Sequence, residues 1–322
     1  MAKPRVLVTR RWPEEVERQL LERFDVTLNE SDEPLTQAEL AAAMGEYDVV
    51  CPVVPDKLPA AVIEGGDRAR LIANYGVGFE HIDLDAAKAR GIAVTNTPGV
   101  LTDATADLAL TLILMAARRA GEGEREVRAG RWTGWGPTHL NGASLKGKVL
   151  GLVGLGRIGI ATAQRARHGL GMRIAYYGRR ECLPDVAREL EAQFYPDLHA
   201  LLAASDFVSL NVPGGADTAH LIDAQAIAAM KPGSYLINTA RGGIVDHAAL
   251  AEALRSGHLA GAGLDVYPAE PQVPEELLGL ENVVLLPHLG SATREARVAM
   301  GERALANIIA WAEGRPLPDR IA

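Results

Sequence analysis

The amino-acid sequence predicts an α/β fold of two doubly wound parallel sheets, and three observations predict it. Short runs of Val, Ile and Leu alternate with longer stretches of helical periodicity, the pattern of parallel strands covered on both faces. The alternation comes as two series, one before and one after Leu145. At 322 residues the chain is also about twice the length of a common domain.

Taken in order, the first series places strands at Val6 to Val8, Val49-Val50, Leu71 to Ala73 and Ile92 to Val94, with helices near Pro13 to Arg23, Thr36 to Met44 and Leu84 to Arg90. Leu108 to Ala117 reads as a buried helix; its ten residues are well short of the ~20 that span a bilayer. Gly130 to Gly142, rich in Gly, Trp and Thr, is the one long irregular loop. The second series runs through Val149 to Val153, Arg173 to Tyr177, Phe207 to Val212, Tyr235 to Thr239, Gly263 to Val266 and Val283 to Leu286, six strands separated by helices. After Pro287 only one long helical segment remains, Thr293 to Glu313, too little for a third domain. The expected layout is therefore a first domain begun by residues 1–98, a second over residues 99–288, and a helix in residues 289–322 that returns to the first.

Hydrophobic residues at 48% and charged residues at 23% match ordinary globular usage and exclude a disordered or coiled-coil chain. Against 41 Asp and Glu stand 33 Lys and Arg, a formal charge of −8, which removes the main electrostatic term for nucleic-acid or membrane-surface binding. Cys51 and Cys182 are too few and too scattered for a disulfide framework or a zinc cage, so no metal is expected and a reducing, cytoplasmic setting fits. The start, Met1 to Val8, is too short an apolar run for an export signal.

Within the second series, Val149 to Val153 runs straight into Gly154-Leu155-Gly156-Arg157-Ile158-Gly159 and then a helix. Glycine is needed there for a tight turn, for close backbone approach to a pyrophosphate and for helix packing, while the helix N-terminus supplies N–H groups and positive dipole to phosphates. A bare G-x-G-x-x-G is weak; the strand, motif, helix and following strand together read as a Rossmann dinucleotide site. The tip of that following strand reads Tyr177-Gly178-Arg179-Arg180, where an NAD site carries a carboxylate for the ribose. Arg179 and Arg180 suit a 2′-phosphate, which favours NADP(H) over NAD(H). The alternatives are two solvated arginines, with Glu181 serving the ribose.

Ligands of open α/β sheets bind beyond the carboxyl ends of the strands. There the sequence offers Arg241 after Tyr235 to Thr239, Asp265 and Glu270 after Gly263-Leu264, and His288 after Val283 to Leu286. Hydride transfer to a 2-oxo acid needs a cation for the carboxylate and carbonyl oxygen and an acid for the alkoxide. Arg241 suits the first role and His288 the second, with Glu270 favouring the imidazolium. Singly, each has a plain structural reading: a satisfied strand-end histidine, a salt-bridged arginine, a turn-capping aspartate, a solvated glutamate. The other histidines lack comparable context and are read as structural.

Four ordered motifs, Gly154 to Gly159, Asn238 to Asp246, Leu264 to Tyr267 with Glu270-Pro271, and Pro287 to Thr293, resemble those of the D-isomer-specific 2-hydroxyacid dehydrogenases. The resemblance runs from about Ile72 to Met300 and implies a Rossmann nucleotide-binding domain inserted in a flavodoxin-like substrate domain. It further implies that Arg241 binds substrate, that Glu270 and His288 form the acid/base pair, and that the Val77-Gly78 backbone grips the substrate carboxylate. By the same resemblance Thr105, Pro213, Thr239 and Asp265 join the glycine turn at the cofactor, and the protein works as a homodimer. Gly178 to Arg180 and Arg131 to Pro137 are most similar to glyoxylate/hydroxypyruvate reductases, which implies a role for Trp135 over the partner subunit's substrate site or, alternatively, interface packing. Pro213-Gly214-Gly215 departs from many relatives, which carry a bulkier residue after the proline.

Rival dehydrogenase classes fit less well. No tyrosine has lysine four positions later, as a short-chain enzyme requires, and Glu270 stands where a formate dehydrogenase would be expected to carry glutamine. Two alternatives remain open: an NAD(H)-dependent enzyme for a bulkier 2-oxo acid, and a non-catalytic dinucleotide-sensing scaffold on the same fold.

Overall fold

The computed structural model describes residues 3–322; Met1 and Ala2, which belong to the stretch read for an export signal, lie outside the described residues. The described residues divide into two compact units, residues 3–101 with 292–322, and residues 102–291.

In the first unit, strands β1 (Arg5–Val8), β2 (Asp25–Leu28), β3 (Val49–Cys51), β4 (Leu71–Ala73) and β5 (Ala93–Thr95) form an all-parallel sheet in the order β2-β1-β3-β4-β5. Strand β2 is absent from the sequence expectation. Its residues, Asp25-Val26-Thr27-Leu28, alternate between exposed and half-buried at the sheet edge, so they carry no continuous apolar run. Helices Glu14–Arg23, Gln37–Glu46 and Leu84–Ala89 match the expected segments within two residues. The start of Gln37–Glu46 is set by a capping box, in which Thr36 accepts from the Glu39 N–H while Glu39 reaches back to the Thr36 N–H. The long helix Arg294–Ala312 belongs to this unit, and its Met300, Ala304, Leu305 and Ile308 share one core with Val16 and Leu20. Residues 319–322 pair antiparallel with β5 and cover its outer edge.

The second unit holds β6 (Val149–Val153), β7 (Arg173–Tyr177), β8 (Gln193–Tyr195), β9 (Phe207–Leu210), β10 (Ser234–Asn238), β11 (Leu259–Leu264) and β12 (Val283–Leu285). They are all parallel, in the order β12-β11-β10-β9-β6-β7-β8. Seven strands stand where six were expected. The extra one, β8, is a three-residue edge strand that is only half-buried. The apolar run Leu108 to Ala117 is the latter part of helix Thr102–Ala117, whose buried positions 105, 106, 109, 110, 112, 113, 116 and 117 trace one wide helical face. Between Arg128 and Val149 there is no helix or strand. Apolar cores fill both faces of the sheet. The strand order reverses between β6 and β9, which makes the carboxyl ends of the central strands the place where a ligand crevice forms. Among the described residues no helix is long and apolar enough to cross a membrane.

Candidate active site

The glycine turn follows β6. Gly154 has φ +95°, and a Cβ on Gly159 would lie 2.5 Å from the Gly154 carbonyl oxygen, so the turn folds against the helix more closely than any side chain allows. Helix Arg157–Leu170 begins at Gly156 with no side-chain cap, whereas the helices after Asp83, Asp197, Asp223, Asp246 and Thr293 are each capped by that residue's side chain. A Cβ at Gly156 would meet nothing within 4 Å. An uncapped helix N-terminus with open approach fits an anionic phosphate. Leu155 and Ile158 are half-buried beside it and Arg157 is exposed. At the ends of the adjoining strands β9 and β10, the buried atoms Asn211 Oδ1 and Thr239 Oγ1 have no hydrogen-bond partner among the described residues. The set fits a dinucleotide: donors for phosphate at the turn, and unsatisfied polar atoms at the neighbouring strand ends.

Beyond β7 come Gly178, Arg179 and Arg180, both guanidiniums exposed and no carboxylate at position 178. Pro213 is exposed after β9, its carbonyl fixed by the Thr218 hydroxyl, which donates over 2.8 Å. Thr105, buried in helix Thr102–Ala117, donates its hydroxyl to the Gly290 carbonyl at 3.0 Å.

Three strand ends supply the charged groups. After β10 the chain turns around Asn238, a fully buried side chain whose Oδ1 accepts from the Ala240 N–H at 3.0 Å and whose Nδ2 donates to the Arg241 carbonyl at 2.9 Å. That clamp sets the direction in which Arg241 leaves the strand. Sequence reasoning assigns Asn238 no role of its own at the site; its signal is a polar residue closing a buried apolar strand. After β11 comes Asp265, also fully buried, with both carboxylate oxygens engaged by the next strand's loop. The Leu289 N–H donates to Oδ1 at 2.6 Å and the Gly290 N–H to Oδ2 at 2.8 Å, while the His288 N–H donates to the Asp265 carbonyl at 2.9 Å.

These bonds explain an unfavourable backbone. His288 has φ +55°, in the left-handed region, which costs a residue with a Cβ about 1–2 kcal/mol. Two charge-assisted bonds at about 1.5–3 kcal/mol each outweigh that cost, so Asp265 holds the turn that aims the imidazole.

The imidazole meets its neighbour directly. His288 Nδ1 lies 2.7 Å from Glu270 Oε2, and Glu270 Oε1 accepts from the Tyr267 N–H at 3.0 Å. An ionised carboxylate only accepts, so the proton of this bond sits on Nδ1 and Nε2 is the nitrogen left for a reacting group. Burial pushes the Glu270 pKa up, but the bonds from His288 and Tyr267 and the Arg241 charge more than offset it, leaving the carboxyl below the ordinary glutamate range. At Asp265 burial wins, and its pKa is raised in spite of the Leu289 and Gly290 bonds.

A depressed Glu270 pKa has a definite sign. Its stabilisation is complete above the unfolded value of 4.5 and is lost as pH falls through the lower folded value. The Tm difference between the wild type and Glu270→Gln is therefore expected to shrink as pH falls from about 5 towards 3. A difference that does not change with pH contradicts the shift.

The second unit thus brings Arg241, Asp265, Glu270 and His288 to one strand-end edge, the same carboxyl-end side of the sheet as the glycine turn, and adds Asn238 and the Tyr267 amide. Val77 and Gly78 belong to the first unit and are half-buried there. Trp135, in the irregular segment after residue 128, is 86% exposed. Among the described residues no cluster of three His, Cys, Asp or Glu is placed to hold a metal ion.

The family model described as D-isomer specific 2-hydroxyacid dehydrogenase, NAD binding domain, matches residues 110–290. The chain is 45% identical over 323 residues to a glyoxylate reductase of Thermococcus litoralis, covering 99% of this chain and 97% of the other. It is similar to the crystal structure of an NADPH-dependent glyoxylate/hydroxypyruvate reductase from Sinorhizobium meliloti in complex with NADP and malonate, with TM-score 0.88 and 38% identity over 100% of this chain and 97% of that one. A D-mandelate dehydrogenase of Rhodotorula graminis is similar too, with TM-score 0.88 and 34% identity over 100% and 98% of the two chains.

Proposed function

Because the chain belongs to the D-isomer-specific 2-hydroxyacid dehydrogenase family, we propose that it is an NADPH-preferring reductase of a small 2-oxo acid, glyoxylate or hydroxypyruvate, yielding glycolate or D-glycerate. The observation that carries the proposal is the His288–Glu270 pair at 2.7 Å on the same edge as Arg241 and the glycine turn. The T. litoralis and S. meliloti reductases support the substrate class.

The chain's own residues meet the needs of the reaction in turn. The turn from Gly154 to Gly159 and the Thr239 hydroxyl would hold the dinucleotide, and Thr105 and Pro213 would line its site. When bound, reduced nicotinamide supplies a hydride to the carbonyl carbon. Negative charge then grows on the carbonyl oxygen, and the Arg241 guanidinium stabilises it while its fork engages the substrate carboxylate. His288 delivers the proton from Nε2, and Glu270 stabilises the imidazolium through Nδ1. In the oxidative direction the same nitrogen accepts the proton. Val77 and Gly78 take the substrate carboxylate with backbone N–H groups.

Arg179 and Arg180 support the NADPH preference, since Gly178 leaves no carboxylate to repel a 2′-phosphate. Replacing both arginines by Ala is expected to weaken NADPH by about 10-fold or more and NADH by less than about 3-fold, read as the two Kd values by fluorescence titration. Equal losses overturn the assignment. Exposed Val127, Trp132 and Trp135, close together in sequence, support a homodimer in which Trp135 covers the partner subunit's substrate site.

The deciding experiment is kcat/KM for glyoxylate, hydroxypyruvate, pyruvate, phenylpyruvate and benzoylformate with both reduced nicotinamides. Highest values for glyoxylate or hydroxypyruvate with NADPH support the proposal. Highest values for the aromatic acids with NADH favour the bulkier-substrate reading, towards which the likeness to D-mandelate dehydrogenase points. Cofactor binding without turnover of any of them favours the scaffold.

A further inference from the structure

In the first unit, three successive peptide carbonyls are turned inward by buried side-chain amides. Asn74 Nδ2 donates to the Gly76 carbonyl at 3.1 Å and to the Gly78 carbonyl at 2.9 Å, and Asn96 Nδ2 donates to the Val77 carbonyl between them at 2.8 Å. The Thr97 N–H gives the Gly76 carbonyl a second donor at 3.0 Å. Asn74 is 1% exposed, Asn96 8% and His81 6%, so none of these side chains is a loose surface group. With both Asn74 Nδ2 protons committed, its Oδ1 is the acceptor for His81 Nε2 at 3.0 Å, which puts a proton on that nitrogen and fixes the amide orientation.

Peptide planarity does the rest. In a trans peptide the C=O and the following N–H point in opposite directions, and no cis bond falls in this loop. Drawing the carbonyls of Gly76, Val77 and Gly78 inward therefore turns the N–H groups of Val77, Gly78 and Phe79 outward, as three neighbouring donors. Such a concavity of backbone N–H groups suits an oxyanion.

We propose that Asn74, Asn96 and His81 are positioning residues that aim the N–H groups of Val77, Gly78 and Phe79 as a preformed cradle for the substrate carboxylate. The inference rests on the reading that Val77 and Gly78 bind that carboxylate, and it adds which side chains create the donors and brings Phe79 in as a third. Asn74 and Asn96 donate to the carbonyls of the loop that meets the substrate, and His81 Nε2 holds the Asn74 amide. Their loss loosens ground-state and transition-state binding alike and leaves the chemical step at Arg241 and His288 untouched, so the expected signature is a rise in KM with little change in kcat.

Asn96 is the member to change, because it holds a single carbonyl. Asn96→Ala is expected to raise KM for glyoxylate by about 10-fold, Asn96→Asp by more because it sets a carboxylate against both the carbonyl and the substrate, and Asn96→Gln, which keeps a donor, by less than Ala. In all three, kcat and KM for NADPH stay near the wild-type values, while Tm falls modestly in Asn96→Ala and most in Asn96→Asp because the buried Val77 carbonyl loses its donor. Backbone amide shifts of Val77, Gly78 and Phe79, recorded with NADP and oxamate, separate the two levels of the argument. If oxamate leaves these amides unmoved in the wild type, the carboxylate reading itself fails. If it moves them in the wild type, and Asn96→Ala shows the same shifts and an unchanged KM, the loop binds the carboxylate but Asn96 does not position it, and the inference is overturned. A fall in Tm with kcat and KM reduced together assigns Asn96 a merely structural role and overturns it as well.

Discussion

His288→Ala is expected to reduce glyoxylate at least about 10²-fold more slowly than the wild type while binding NADPH with unchanged affinity. The loss falls on kcat because the imidazole acts as the alkoxide forms, when the oxygen gains a basicity that water meets poorly at neutral pH. The backbone holding the residue does not depend on the side chain: the His288, Leu289 and Gly290 N–H groups all bond to Asp265. Alanine at φ +55° carries the same left-handed cost, so the turn is expected to survive, with Tm lowered because the half-buried Glu270 carboxylate loses its imidazole partner. Two further results follow from the geometry. Glu270→Gln keeps a hydrogen-bond acceptor for Nδ1 but loses the carboxylate charge beside the imidazole, so kcat for glyoxylate reduction is expected to fall while NADPH affinity is unchanged. Asp265→Asn leaves one of the two loop N–H groups facing an amide rather than a carboxylate oxygen, and kcat is expected to fall although residue 265 donates no proton in the proposed reaction. Near-normal turnover by His288→Ala, measured as NADPH oxidation with saturating glyoxylate, removes the residue from the mechanism.

The second large effect is expected at Arg241. Its guanidinium is asked to orient the substrate carboxylate and to stabilise charge on the carbonyl oxygen, and removing one such donor typically costs 10²–10³-fold in rate. Arg241→Ala is expected to lower kcat/KM for glyoxylate by about that factor or more, with KM raised and kcat reduced together, since the ground state and the transition state both lose a contact. The turn itself survives, because Asn238 clamps it through the Ala240 N–H and the Arg241 carbonyl, which any residue supplies. Arg241→Lys tests the role of shape. Lysine restores the charge as a point but not the planar fork, so about a tenth or less of the wild-type kcat/KM is the expected recovery. Full recovery in the lysine variant reduces the role of Arg241 to charge alone, and an alanine variant within about 3-fold of wild type takes it out of substrate binding.

Legibility in the sequence followed burial. Strands buried on both faces, such as β6 with Val149 to Val153 and β9 from Phe207, announce themselves as apolar runs. Edge strands β2 and β8 do not, because one side of each faces away from the core and Asp25, Thr27 and Gln193 sit among their few residues. The helix over Thr102–Ala117 showed the same limit at its start: Leu108 to Ala117 reads as an apolar block, while the preceding turn buries Thr105 and Ala106, which look unremarkable in a sequence. At the site, glycines and strand-end charges were visible as residue types at strand ends. Asn238 and the Asn74–Asn96 pair were not, because a buried amide is recognisable only by the carbonyls it reaches.

Local order along the chain determined the α/β class, the glycine turn after β6 and the charged residues available at the strand ends, since each depends on neighbours in sequence and on periodicity. Tertiary structure decided what those residues face. Asp265 reaches the Leu289 and Gly290 N–H groups across more than twenty positions, Glu270 takes Nδ1 of His288 and leaves Nε2 for a reacting group, and Asn96 turns the Val77 carbonyl. Hydrogen bonds depend on distance and direction to within a few tenths of an ångström, and only the packing of strands remote in sequence brings such partners into register.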